Sequence, residues 1–382
     1  MLFINILIFV IGLALLVKGA DLFVEAASLI AKRFGVSEFI IGLTLVSVGT
    51  SIPELASSVT AVFQNASGII IGNILGSNIA NIGLIVGISA LLSEIGTDRL
   101  MLKRDGYIML FASVLLFLFI FDLRISQAEA FIFLLLYIAY LFFLLDKVKN
   151  NEGDIYFKDF LIYFLKFEYL SDLKSRMQAG PTVNKKIEKI EMPAPIIEKN
   201  SDIETIQASN IEKNMFENEE IDIDLEAKKF SESSLTMLFL KLIASGIAII
   251  AGADFFVNQA IFFARFFEVS ETLIGLTLVA IGTSVPELMV TASAARSGYS
   301  EIALGNIIGS NTSNILLILG CSGLIGPLQI TELSRSYIAP CMLFISTFFL
   351  LFIRTGWRIK RYEGLILLLL YFGFIIFIVR LG

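Results

Sequence analysis

Glu54 and Glu287 are carboxylates placed where water is scarce. Each lies in an apolar segment long enough to cross a bilayer. Each also closes the same short pattern, Gly49-Thr50-Ser51-Ile52-Pro53-Glu54 and Gly282-Thr283-Ser284-Val285-Pro286-Glu287. An ionisable side chain at that depth is by default functional, marking an ion or proton path. Proline offers a helix no N–H, and its ring clashes with the preceding turn. The carbonyls of Ser47 to Gly49 and of Ala280 to Gly282 are therefore expected to lack helical partners, and in lipid such groups must find protein, water or an ion. Thr50 and Glu54 are four residues apart, as are Thr283 and Glu287, so hydroxyl and carboxylate can share one helix face.

A second polar string follows each of these: Gly72-Asn73-Ile74-Leu75-Gly76-Ser77-Asn78 and Gly305-Asn306-Ile307-Ile308-Gly309-Ser310-Asn311. Their small residues let helices approach closely. Ser77, Asn81, Ser310 and Asn314 add neutral oxygens near the same depth. Two carboxylates with hydroxyl and carbonyl oxygens make a hard, all-oxygen site. Ca²⁺ takes about six to eight such oxygens, and two carboxylates neutralise one Ca²⁺. Na⁺ accepts the same ligands, whereas Zn²⁺ or Cu²⁺ would want nitrogen or sulfur. The chain has no histidine, which excludes His-based catalysis and His metal ligands. Cys321 and Cys341 read as small apolar side chains. No basic patch suggests a nucleic-acid partner. Asp21, with Lys18 within helical reach, and Asp254 read as structural.

The elements that must position these residues follow from the apolar runs. Of 382 residues 56% are hydrophobic, which is the composition of a polytopic membrane protein. Runs of spanning length occur near 2–24, 39–63, 69–93, 106–122 and 126–145, and again near 235–262, 272–294, 301–324, 337–354 and 364–381. The expected fold is all-α, with ten transmembrane helices in two five-helix repeats, residues 1–148 and 235–382. Asp21, Gly42, Glu54, Gly76 and Asn81 each have a counterpart 233 residues on, at Asp254, Gly275, Glu287, Gly309 and Asn314. Five is odd, so the second half must sit inverted, the arrangement of secondary transporters whose broken helices meet at the midplane.

Lys and Arg in the short loops set the orientation. They favour the side carrying Lys32, Arg33, Arg99, Lys103, Arg104, Arg354, Arg358, Lys360 and Arg361 over that carrying Arg124, Arg265, Arg335 and Arg380. The expectation is a multi-pass protein of the plasma membrane with its N-terminus outside and residues 149–234 in the cytoplasm. Within that loop, Ile155 to Leu173 reads as an interfacial helix, with a helix packed on the ends of the spans as the second reading. Lys174 to Glu232 reads as a mobile linker, and Asp222, Asp224 and Glu226 within it as a solvated charge run, with a weak Ca²⁺ regulatory site as the second reading.

Gly-Thr-Ser-x-Pro-Glu-Leu followed by Gly-Asn-x-x-Gly-Ser-Asn, twice, resembles the α-repeats of the cation/Ca²⁺ exchangers, and within them the prokaryotic Na⁺/Ca²⁺ exchangers. The likeness covers both membrane halves but not the central loop. It implies a Ca²⁺ site of Glu54 and Glu287 with Thr50 and Thr283. It implies flanking Na⁺ sites from Ser51, Ser77, Ser284, Ser310 and the backbone carbonyls of Ser47 and Ala280, with Asn81 and Asn314 lining the middle. The K⁺-dependent branch relies on an acid at the position of Asn314, so K⁺ independence is expected. The resemblance also implies alternating access, with the first and sixth helices sliding over the core, no cofactor, and Ca²⁺ and Na⁺ as substrates. Besides the bilayer no partner is indicated, and a monomer is the expectation. The rival readings are a Ca²⁺/H⁺ antiporter, since buried glutamates can carry protons, and a cation channel, since broken polar helices also line pores.

Overall fold

The computed structural model describes residues 2–33, 47–97, 99–149, 156–167, 169, 235–296, 298 and 300–381. The Gly42–Val46 stretch and residues 174–232, with Asp222, Asp224 and Glu226, lie outside the described residues.

Continuous apolar sequence gives helices almost throughout. Helix α1 (Leu2–Arg33) and helix α7 (Leu235–Phe266) are 32 residues each, about 48 Å of helix at 1.5 Å per residue and longer than a bilayer core. They pack on one another antiparallel: Gly12 abuts Gly252 and Phe256, Gly19 abuts Ile249, and Lys241 Nζ reaches Glu25 Oε2 at 2.6 Å. Glycine permits this. A Cβ at Gly252 would stand 2.6 Å from the Leu16 backbone nitrogen. Phe9 stacks on Phe256 with ring centroids 4.6 Å apart.

The next helix of each half is broken. The first comprises α2a (Ser47–Thr50) and α2b (Ile52–Phe63), parted at Ser51. The second comprises α8a (Glu271–Thr283) and α8b (Val285–Arg296), parted at Ser284 and bent by 48°. Pro53 and Pro286 stand in the first turn of the second piece, where a missing N–H costs least.

Helices α3 (Ser67–Leu92) and α9 (Ser300–Ser313, continued by Asn314–Leu319 and Gly320–Ile325) form the centre. Almost every residue of α3 from Ile69 to Val86 is buried. Each passes through a π-helical turn at equivalent positions, Asn81–Val86 and Asn314–Leu319, a local widening often found at functional sites. Gly68, Gly72 and Gly76 put the α3 backbone directly on α8a. A Cβ at Gly72 would lie 2.4 Å from the Thr272 carbonyl oxygen.

Helices α4 (Leu102–Asp122), α5 (Gln127–Lys149), α10 (Ser334–Arg354) and α11 (Arg361–Leu381) complete the bundle. Two-residue antiparallel ladders tie the halves through their loops. Strand β1 (Ile95–Gly96) pairs with β4 (Arg358–Ile359), and β2 (Arg124–Ile125) with β3 (Leu328–Gln329). A short helix, α6 (Phe157–Leu165), begins where the Tyr156 N–H meets Asp159. It buries Phe160 and Tyr163 against Phe143 of α5, while Ile162 and Leu165 face outward.

Among the described residues, eight helices are long and apolar enough to cross a membrane, and the bent α8 pair makes a ninth. Helix α2b is shorter, and the residues before α2a are not described. The protein is a mostly helical, multi-pass membrane protein.

Candidate cation site

Glu54 and Glu287 sit one turn beyond the two breaks, 1% and 0% exposed. Neither is left alone. The Ser284 hydroxyl donates to Glu54 Oε1 at 3.1 Å, and Thr283 lies on the same carboxyl. Thr50 and Ser51 lie beside the Glu287 carboxyl, whose Oε1 accepts from Ser310 Oγ at 3.5 Å. Each acid therefore meets the Thr–Ser pair of the opposite half, which helix spacing within one half could not reveal.

The asparagines that open the two Gly-Asn strings organise the hydroxyls. Asn73 Oδ1 accepts from Ser77 Oγ at 3.3 Å and shares the Thr283 hydroxyl, at 3.2 Å, with the Val279 carbonyl at 3.0 Å, while its amide donates to Ser57 and Ser58. Asn306 does the equivalent, accepting from Thr50 Oγ1 at 3.3 Å and donating to Thr291. A hydroxyl that gives its single proton to such an acceptor keeps its lone pairs for another ligand. Asn73 and Asn306 were not singled out from the sequence, although the repeated string that contains them was the available signal.

Several buried acceptors have no donor: Glu54 Oε2, Glu287 Oε2, Asn81 Oδ1 and Asn314 Oδ1. They come as two pairs related by the 233-residue repeat. An unsatisfied buried polar atom costs about 1–3 kcal/mol, a cost that ligation of a cation would relieve. Among the described residues no group of three or more His, Cys, Asp or Glu side chains gathers, so a bound cation would rest on the two acids with hydroxyl, amide and carbonyl oxygens. That donor set suits Ca²⁺ and Na⁺.

Ser77, Ser310, Asn81 and Asn314 are buried in the central crossing of α3 and α9. Ser47 opens α2a, and its side chain lies outside the described residues. The Ala280 carbonyl accepts the Ser284 N–H at 3.1 Å. It does not lack a helical partner as the sequence led one to expect, because Pro286 withdraws its N–H from Gly282, four residues earlier, and not from Ala280. Asp21 pairs with Lys18 at 3.2 Å and Asp254 accepts from Gln64 at 3.2 Å, outside the site. Cys321 and Cys341 are free and half-buried. A cavity of about 660 Å³ runs from Asp21 and Glu25 of α1 to Thr50, with Pro286 and Met289 of α8b on its wall.

Buried acids on broken, repeated helices define the class: an ion-translocating membrane protein. The sequence profile described as "Sodium/calcium exchanger protein" matches residues 4–145 and 237–380. The chain belongs to the sodium/calcium exchanger family, whose members are transporters and not enzymes. It is 49% identical to the "Sodium/calcium exchanger MaX1" of Methanosarcina acetivorans over 98% of this chain and 99% of that protein. It is 24% identical to the human "Sodium/potassium/calcium exchanger 5" over 92% of this chain and 78% of that one. Among solved structures it resembles the sodium-calcium exchanger NCX_Mj soaked with Na⁺ and Sr²⁺, with a TM-score of 0.56 and 29% identity over 98% of both chains.

Proposed function

We propose that this chain exchanges Na⁺ for Ca²⁺ by alternating access, without K⁺, at a site shared by Glu54 and Glu287. The observation that carries the reading is the reciprocal pairing of each acid with the other half's Thr–Ser pair, beside acceptor oxygens that have no donor. Thr50 and Thr283 complete the Ca²⁺ site. Ser51, Ser77, Ser284, Ser310 and the carbonyls of Ser47 and Ala280 serve Na⁺, with Asn81 and Asn314 between. The overlap makes occupancy by one ion expel the other. An empty site would keep two buried charges, which opposes the moving step and enforces exchange over leak.

Inversion of the two five-helix halves is supported by two features. Helices α1 and α7 run antiparallel. The ladders pair the loop before α4 with the loop after α10, and the loop after α4 with the loop before α10. The segment ending in α2b is then the tenth span. Alternating access draws support from the α1–α7 pair, which keeps most of its surface away from the core, and from the cavity that reaches Thr50 beside α1. Asn314 in place of an acid supports K⁺ independence. The Lys and Arg bias supports residues 149–234 in the cytoplasm, the plasma membrane is the proposed location, and a monomer suffices to build the site.

The test is ⁴⁵Ca²⁺ uptake into Na⁺-loaded proteoliposomes diluted into Na⁺-free buffer. Uptake should need internal Na⁺ and be indifferent to K⁺. Uptake driven by a pH gradient alone would make the protein H⁺-coupled, and uptake in every condition would make it a channel.

A further inference from the structure

Asparagine presents an oxygen or an NH₂ depending on which way its amide is turned, and the two are nearly isosteric. The surrounding hydrogen bonds decide. Where α3 crosses α9, four asparagines settle the matter for one another. Asn311 Nδ2 donates to the backbone carbonyl of Asn78 at 3.3 Å, and Asn78 Nδ2 donates to the backbone carbonyl of Asn311 at 3.4 Å. Asn78 Nδ2 also faces Met342 Sδ at 3.7 Å. A backbone carbonyl can only accept, so both amides must turn NH₂ toward it and Oδ1 away. Those oxygens take the next pair: Asn81 Nδ2 donates to Asn311 Oδ1 at 3.0 Å, and Asn314 Nδ2 donates to Asn78 Oδ1 at 2.9 Å. Turning Asn81 or Asn314 over would set oxygen against oxygen in a dry interior. Their own Oδ1 atoms are thereby left outward from the network, buried and without a donor.

We infer that Asn78 and Asn311 are positioning residues, which fix the polarity of the site by making Asn314 and Asn81 offer carbonyl oxygens, not amide N–H groups, to the transported cation. This rests on the cation site proposed above. Neither residue needs to touch an ion. Each acts through the asparagine of the opposite half, three residues beyond its own partner in the motif. An NH₂ in the same place would repel Na⁺ and Ca²⁺. The four bonds also join the two halves, so the polarity of the site is set by the same contacts that hold the halves in register.

The test replaces Asn311 or Asn78 by leucine and measures Ca²⁺ and Na⁺ binding to the purified full-length protein by calorimetry, with thermal unfolding in the absence of ions as a control. Asn311→Leu frees the Asn81 amide. The expected result is about a tenfold loss of cation affinity, the usual scale for a residue that orients a ligand, in a protein that keeps its elution profile and a cooperative ion-free transition, lowered by the loss of two buried hydrogen bonds. In the Asn81→Leu background the same change should cost little more, since its effect runs through Asn81. Affinity unchanged in a folded Asn311→Leu protein, or full additivity of the two substitutions, would overturn the assignment.

Infrared difference spectra of the unsubstituted protein, carrying ¹³C-carboxamide asparagine, decide the matter even if the leucine variants do not fold. Addition of Na⁺ or Ca²⁺ should shift a labelled side-chain carbonyl band, and spectra with no such shift would overturn the inference. Both measurements read binding and not transport, so absence of Na⁺-driven Ca²⁺ uptake by the wild type would count against the exchange mechanism and not against this orientation.

Discussion

One oxygen of each buried glutamate is held by a serine hydroxyl and the other has no donor. A cation balancing both acids makes either one indispensable. Removing one partner of a buried charge pair costs about 3–5 kcal/mol, so Glu54→Gln and Glu287→Gln should each lower Na⁺-driven Ca²⁺ uptake by about 100-fold or more. Residual uptake within tenfold of wild type for either would contradict the shared site. A second contrast isolates a structural hydroxyl. Tyr137 OH is 3.3 Å from Ser313 Oγ, whereas the OH of Tyr371, 234 residues on and packed against Gly83 of α3, is buried without a partner, and Ala80 stands 233 residues before Ser313. Tyr137→Phe should lower unfolding stability by about 1 kcal/mol and Tyr371→Phe should be neutral or stabilising, as a thermal unfolding series would report. The two acids and their hydroxyl neighbours were legible as chemistry because nothing else explains a carboxylate between apolar residues. The supporting roles of Asn73, Asn306, Asn78 and Asn311 were not, since each depends on a contact made across the two halves.

At the scale of elements, proline announced both breaks, and the bend of 48° between α8a and α8b follows it. The seat of the missing hydrogen bond was legible only in part, because the Ala280 carbonyl keeps its partner. Spacing of small residues forecast close packing without saying against what. The contact proves to be α3 on α8a, backbone to backbone. Gly72→Ala should therefore destabilise by about 1–3 kcal/mol through overpacking, because its Cβ would meet the Thr272 oxygen at 2.4 Å and the Leu276 nitrogen at 2.7 Å. Gly373→Ala in α11, with nothing within 4 Å of its Cβ, should be neutral or stabilise by about 0.5–1 kcal/mol. Thermal unfolding of the two in one detergent makes the comparison, and equal melting temperatures would mean that α3 and α8a are not in contact as described.

For the whole molecule, the 233-residue offset shared by the first three runs of each half made the duplication readable, and the odd number of runs made inversion the expectation. The two ladders were not readable, since strands of two residues carry no periodic pattern. With Cys321 and Cys341 replaced by alanine, a Ser201→Cys variant in intact cells should resist an impermeant maleimide and react after permeabilisation. Labelling of intact cells would reverse the proposed orientation. The larger claim is that both halves build one cation site, open to Na⁺ or Ca²⁺ in turn. Equilibrium ⁴⁵Ca²⁺ binding to the purified protein under rising Na⁺ tests it most directly. One Ca²⁺ per chain is expected, displaced completely by Na⁺ and unaffected by equal K⁺, and absent from Glu54→Gln and Glu287→Gln alike. Ca²⁺ that stays bound in saturating Na⁺, or that survives the loss of either glutamate, would contradict it.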